Sequence, residues 1–293
     1  MSLSQRLPYE WLLGWRYTRA GRATRRNGFI SFISAASMLG IALGVAALII
    51  VLSVMNGFQK DVAGRMLSVI SHVEVFSPDG AALPDPQRTL NEVRANPEVI
   101  GAAPFIGAQG LLARGETMQG AIVRGIDPAM EPNVTDVAAE LKDTLLPKLV
   151  PGEFGILLGA DLARKLGVVA GDQVTLIAPS GQVTPAGVVP RLKQMTVVGT
   201  FSSGHYEYDS ALAMLNIEDA ARIFRLERPT GIRLKLRDLH QARQVADQLA
   251  GALSGHLLIL DWTRQNRTWF AAVQLEKRMM FIILTLIVAV AAF

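Results

Sequence analysis

The sequence contains no cysteine, which excludes disulfide bonds, thiolate catalysis and thiolate metal ligands. Its four histidines are widely scattered, so a histidine-based metal site is not predicted. It has no Gly-Lys-Ser/Thr phosphate-binding loop and no nucleophile elbow. Carboxylates such as Glu207, Asp209 and Asp219 are interpreted as cap and surface residues. We therefore predict no catalytic site, no metal site and no cofactor in this chain.

Charge is also absent over residues 27–59, a run of 33 residues. At a rise of about 1.5 Å per residue, such a helix is about 50 Å long, against a hydrocarbon core of about 30 Å. We predict a first transmembrane helix at 27–59. A helix in a soluble core is the less favoured alternative, because such helices rarely exceed about 20 residues. A cleaved signal peptide is disfavoured because its apolar part spans only about 7–15 residues.

The segment before this helix is basic. Residues 1–26 hold six arginines and one glutamate, a net +5, while the whole chain carries +4. Because basic flanks stay on the cytoplasmic side, residues 1–26 are predicted to be cytoplasmic and residues 60–280 periplasmic, in a bacterial inner membrane. The positive charge is therefore a topology signal, and no nucleic-acid partner is predicted.

A second uncharged run closes the sequence at 281–293 and follows Glu276, Lys277 and Arg278. These 13 residues would reach only about 20 Å as a helix. We interpret the run as the start of a second transmembrane helix in an N-terminal fragment. An interfacial tail is the alternative, but the run lacks the polar face that such tails need.

The region between the two runs mixes strand and helix patterns. Alternation predicts strands at 72–76, 110–114, 119–124, 156–158, 173–178, 194–201, 231–236 and 256–260. Helical patterns lie at 86–94, 160–166, 217–224 and 240–253. The predicted fold class is α-helical membrane spans plus an α+β periplasmic domain, with a β-rich subdomain inserted at about 98–202.

Residues 178–190 contain three prolines, two glycines and no charge. Because proline cannot donate to a β ladder, we expect strand pairing to stop here and a stiff loop to project. Exposed apolar groups on such a loop are typical of a partner-binding surface. The alternative is a hairpin tip without a role.

The first predicted span contains small residues at intervals of four along one stripe: Ala36, Gly40 and Gly44. Such a stripe favours close packing against another helix, although small residues are also common in membrane helices generally. Further along, Ala47, Val51 and Met55 are predicted to face lipid, a partner helix or an acyl chain.

Two segments resemble the LolC/LolE family of lipoprotein-releasing ABC transporter permeases: Ser-Val-Met-Asn-Gly-Phe at 53–58 and Leu-Ile-Val-Ala-Val-Ala-Ala-Phe at 286–293. The order of basic start, span, external region and second span is similar too. The resemblance implies a MacB-like periplasmic domain, a second permease subunit that is a copy or a paralogue, and a separate cytoplasmic ATPase. It implies release of outer-membrane-directed lipoproteins from the inner membrane to a periplasmic carrier.

The uncharged segment is similar to the carrier-binding hairpin that this family calls the Hook, which favours the LolC type over the LolE type. The implied Hook residues are Pro179, Ser180, Gly181, Gln182, Val183, Thr184, Pro185, Ala186, Gly187, Val188, Val189 and Pro190. Family members can place an arginine before the Hook and a Gln-Arg pair after it. The matching positions here are Thr175, Leu192 and Lys193, so we assign only Lys193 and the adjacent Arg191 to a carrier-binding patch.

Other functions remain open on the sequence. A MacB-like exporter or an FtsX-like permease would share the domain but lack the proline-rich hairpin. A two-span sensory receptor would need a cytoplasmic signalling module after the second span. Residues beyond 293 would discriminate these classes.

Overall fold

The computed structural model describes Tyr9 and residues 28–67, 69–78, 80–184, 187–253, 257–265 and 267–292. The chain divides into two compact units. One comprises Met1–Lys60 and Thr268–Phe293, and the other comprises Asp61–Arg267.

The described residues form both helices and strands. In order, they are α1 (Gly28–Leu67), β1 (Val73–Phe76), α2 (Pro86–Arg94), β2 (Val99–Arg114), β3 (Thr117–Ile126), α3 (Asp136–Leu141), β4 (Gly155–Gly159), α4 (Ala160–Leu166), β5 (Gln173–Thr184), β6 (Gly187–Phe201), α5 (Tyr206–Asp209), β7 (Leu212–Asn216), α6 (Ile217–Phe224), β8 (Gly231–Leu236), α7 (Ala242–Ala252), β9 (Leu258–Asp261), α8 (Trp262–Gln265) and α9 (Arg267–Ala292). Among the described residues, three 3₁₀ turns also occur, at Glu131–Asn133, Leu146–Lys148 and Leu239–Gln241.

The first unit contains the apolar helices. Helix α1 covers residues 28–59 of the predicted span and continues to Leu67, while residue 27 lies outside the described residues. Within the described residues, Ala35–Gly57 is the one segment long and apolar enough to cross a bilayer. The run at 281–293 falls within α9 up to Ala292.

The second unit is built on a nine-stranded sheet with the order β3-β7-β4-β6-β5-β2-β8-β1-β9. The pairing of β2 with β3 closes the first six strands into a barrel. Strands β8, β1 and β9 continue from β2 as an open antiparallel sheet. The α+β class is confirmed, and the barrel continues beyond the predicted β-rich block because it includes β7.

The core lies mainly inside the barrel. Leu112 and Leu158 are fully buried there, with Leu162 of α4 and Ile223 of α6 in the same cluster. A second cluster includes Val69, which follows α1 closely. The segment after α1 therefore enters the folded core and is not a free linker.

Two of the three carboxylates interpreted as surface residues, Asp209 and Asp219, are buried. Asp219 accepts the backbone N–H groups of Gly152 at 2.8 Å and Phe154 at 3.2 Å, in a turn where both residues have positive φ. Asp209 likewise accepts the backbone N–H groups of the turn at 203–204. The surface assignment of these two residues is wrong because each satisfies the backbone donors of a tight turn.

His72, in the segment after α1, has its pKa lowered by its surroundings. Its Nδ1 accepts the backbone N–H of Leu236 at 3.1 Å. Burial, and secondly the charge of Lys235, lower the pKa of His72 below the ordinary 6.5. A depressed histidine pKa means that the unfolded chain binds the proton first, so stability falls as pH drops below about 6.5.

We therefore expect a lower thermal midpoint at about pH 5.5 than at about pH 7.5, since this interval brackets the ordinary histidine pKa. The difference should shrink in His72→Asn, which keeps a hydrogen-bond acceptor but does not titrate. Scanning calorimetry of both proteins at both pH values is the measurement. An equal shift in the variant would contradict the assignment.

Candidate functional site

The uncharged segment 178–190 is the end of the β5–β6 hairpin. The antiparallel ladder reaches Ala178 opposite Arg191, breaks, and resumes at Gln182 opposite Val189. The expectation that pairing stops at 178–190 is therefore wrong. The two strands re-pair beyond the break and continue as a ribbon.

The positions of the prolines explain the renewed pairing. Pro179 and Pro190 both lie in the break, where residues 179–181 of β5 stand against the single residue 190 of β6. A missing proline N–H costs a ladder only where a hydrogen bond is needed. Such an irregularity also bends the strand and so changes the direction of the ribbon. Pro185, Ala186 and the side chains of residues 180–189 lie outside the described residues.

An exposed apolar row crosses the sheet below the hairpin. Leu111, Ile177 and Leu192 are cross-strand neighbours on β2, β5 and β6. Leu111 is 45% exposed and Leu192 is 65% exposed. A cavity of about 560 Å³ beside this row is lined by residues that include Leu111, Ile122, Ile177, Pro179 and Pro190. Apolar surface thus continues from the barrel to the hairpin base, as is typical of binding sites.

The sequence analysis did not select Leu111 as a site residue. The available signal was the adjacent pair Leu111 and Leu112, because consecutive residues of a strand point to opposite faces. Leu112 is fully buried in the barrel, so its apolar neighbour has to lie on the outer surface.

Arg191 and Lys193 lie on the other face of β6. The Lys193 Nζ is 3.5 Å from the ring centroid of Phe154, within cation–π distance. The Arg191 Nη1 lies 3.5 Å from the carbonyl oxygen of Ile223. By strand alternation, Thr175 and Leu192 face the opposite side. The structure therefore brings Lys193 together with Arg191 and separates it from the other two matched positions.

The predicted packing stripe on α1 meets another helix of this chain at one position. A Cβ atom at Gly44 would lie 3.6 Å from the Ile287 Cγ2 of α9, whereas one at Gly40 would have no neighbour within 4 Å. Ala36 is exposed. A Cβ atom at Gly44 would thus make an ordinary van der Waals contact with α9, so the approach of these two helices does not require a glycine there.

The three residues predicted to face lipid lie further along α1. Ala47 and Val51 are exposed, and Met55 is half-buried. Among the described residues, no group of three or more His, Cys, Asp or Glu side chains is placed to hold a metal ion.

Comparison with known proteins decides the family. Residues 34–252 match the family model described as the MacB-like periplasmic core domain. The chain is 48% identical over 284 residues to the lipoprotein-releasing system transmembrane protein LolC of Neisseria meningitidis, covering 96% of this chain and 68% of that protein. The chain belongs to the LolC family of lipoprotein-releasing permeases.

Other relatives agree with the LolC type. LolC of Xylella fastidiosa strain Temecula1 is 46% identical over 286 residues, covering 98% of this chain and 68% of that protein. LolE of Haemophilus influenzae is 28% identical over 285 residues, covering 96% of this chain and 68% of that protein. The resemblance drawn from the two sequence segments is confirmed, and this LolC family chain is a transmembrane permease subunit of a lipoprotein-releasing ABC system. The exporter, FtsX-like and receptor alternatives are not favoured.

Proposed function

We propose that residues 60–280 lie in the periplasm and that the β5–β6 hairpin captures a soluble carrier, which takes the lipoprotein from the permease. The observation that carries the proposal is the hairpin itself. It re-pairs beyond a proline-containing break, carries no charge over 178–190, and stands beside an exposed apolar row. Family membership supports the reaction that the hairpin would serve.

The energetics of transfer explain why capture near the permease matters. Each acyl methylene that leaves the bilayer costs about 0.8 kcal/mol, so a free lipoprotein anchor in water is strongly unfavourable. A carrier held by the hairpin shortens the step in which the acyl chains are exposed to water. Arg191 and Lys193 beside the hairpin base are proposed to steer and orient an acidic surface of the carrier.

Other subunits complete the proposed transporter. A second permease subunit, either a copy or a paralogue, would pack against the membrane helices, where Ala36 and Gly40 offer small side chains on α1. A separate cytoplasmic ATPase would supply the work, since this chain has no phosphate-binding loop. The LolC and LolE names of the relatives support a paired permease.

A photo-crosslinking residue at Gln182 of the full-length permease, in native membranes, tests the proposed partner. We expect the main crosslinked product to contain a soluble lipoprotein carrier. The matched control places the same residue at Val169, which is 67% exposed and lies outside the hairpin, and should give no such product. Crosslinking of Gln182 to a cell-wall hydrolase or an efflux-duct protein would instead support an FtsX-like or MacB-like function.

A further inference from the structure

A cluster of charged side chains is buried at β8. Arg233 is 1% exposed and pairs with Glu131, which is 0% exposed. The Arg233 Nε also lies 3.5 Å from the Glu74 Oε1. Burial raises the pKa of Glu131, and burial together with the nearby Arg233 charge lowers the pKa of Arg124 to about 10. Two cations and two acids therefore influence one another in this buried region.

This cluster bonds to both segments that lead to the long helices. The Arg233 Nη2 donates to the carbonyl oxygen of Val69 at 2.7 Å, two residues after α1 ends. Glu74 accepts the hydroxyl of Ser71 at 3.2 Å and the amide Nε2 of Gln265 at 2.9 Å. Gln265 ends α8, two residues before α9 begins. The connecting segments 69–71 and 261–265 are thus fixed to a single charged group of side chains.

Strand β2 links this cluster to the hairpin. Arg233 is the register partner of Ala103 near the start of β2. Leu111, Leu112 and Ala113, near its end, pair with residues 175–177 of β5, which continues into the hairpin. At about 3.3 Å per residue, the 16 residues of β2 extend about 50 Å as a hydrogen-bonded strand.

We infer that Arg233 is a positioning residue for transport, which holds both connecting segments in one geometry against the sheet that bears the hairpin. A shift of either segment carries β8 and β2 with it, because separation would break the hydrogen bonds that join the charged groups to Val69, Ser71 and Gln265. A stabilising role is not required to explain the cluster, since well-packed apolar side chains often stabilise as much as a buried ion pair. The inference rests on the lipoprotein-releasing function of the family.

The test uses the assembled transporter in proteoliposomes, with lipoprotein release and ATP hydrolysis measured together. The variant Arg233→Met with Glu131→Gln removes one cation and one acid, so the remaining charges stay balanced. We expect release per ATP hydrolysed to fall about tenfold, while carrier capture is unchanged. The matched control, Lys235→Met with Asp136→Asn, removes a more exposed 2.7 Å ion pair between the same strand and α3. It should release lipoprotein as the wild type does.

Gln265→Ala is a second variant, because it removes one connecting hydrogen bond at an exposed residue and leaves the buried charges in place. In this variant we expect lipoprotein release per ATP hydrolysed to fall about threefold. Wild-type release per ATP in the double variant overturns the inference, as does an equal loss in the control. If the double variant does not assemble, wild-type release in Gln265→Ala overturns it. The wild-type transporter is measured in the same vesicles. If it also fails to release lipoprotein, the releasing function fails, and not the role of Arg233.

Discussion

Changing both Val183 and Val189 to aspartate is expected to weaken carrier capture by about 100-fold or more, the loss expected for contacts worth about 2–4 kcal/mol. The segment 178–190 carries no charge, and positions 183 and 189 lie on opposite faces of the ribbon by its register, so an apolar partner surface on either face would have to desolvate a new carboxylate. Both residues lie in the re-paired part of the ribbon, where backbone hydrogen bonds form the ladder. The substitutions should therefore change binding more than they change the hairpin.

Surface plasmon resonance on immobilised full-length permease, with the soluble carrier as analyte, measures this effect. Val169→Asp adds a carboxylate at an exposed valine outside the hairpin and serves as the charge control. Val183→Thr with Val189→Thr keeps the shape and tests polarity without charge. An unchanged Kd in the double aspartate variant would defeat the docking proposal.

Arg233→Met alone should lower the free energy of unfolding by about 3–5 kcal/mol, the usual cost of removing one partner from a buried ion pair. Glu131 would stay buried without its cation, and its Oε2 already lacks a hydrogen-bond partner within the described structure. Burial already raises the pKa of Glu131 above 4.5, and loss of the cation should raise it further. Because the unfolded-state pKa is the same in both proteins, the deficit should grow as pH rises through the folded-state pKa values of Glu131, which lie above 4.5.

Denaturant titration of the detergent-solubilised protein, followed by tryptophan fluorescence, measures this loss. Arg88→Met is the control, because the Arg88 side chain is 63% exposed and pairs with Glu92 on the helix surface, and its effect should be small beside that of Arg233→Met. A deficit below about 1 kcal/mol in Arg233→Met would show that other groups satisfy Glu131.

Several elements could be predicted because their signals are local. Asp85 accepts the backbone N–H of Arg88 at 3.0 Å, and Pro86 occupies the first position of α2, as its sequence indicates. Gly167 follows α4 with a φ of 66°, the left-handed conformation that favours glycine after a helix. In both cases the residues that set the boundary lie within one turn of it.

Other features depend on partners that are distant in the sequence. Strand β7 is buried at all five positions, so it shows no alternation and was not predicted. Alternation over Gly231–Leu236 indicates an exposed polar face. Arg233 is nevertheless buried, where it pairs with Glu131, which lies 102 residues away in the sequence. The composition of 178–190 identified the hairpin as a candidate site. The break that accommodates Pro179 and Pro190 depends on the register between two strands, which composition does not specify.

The most direct test of the account is the side of the membrane on which the hairpin-bearing domain lies. The chain has no cysteine, so Val169→Cys in the full-length protein places a thiol on the domain, and the parent serves as the blank. A membrane-impermeant maleimide should label the variant in right-side-out spheroplasts and fail to label it in sealed inverted vesicles. Labelling confined to inverted vesicles would place the domain in the cytoplasm, where no periplasmic carrier could reach the hairpin.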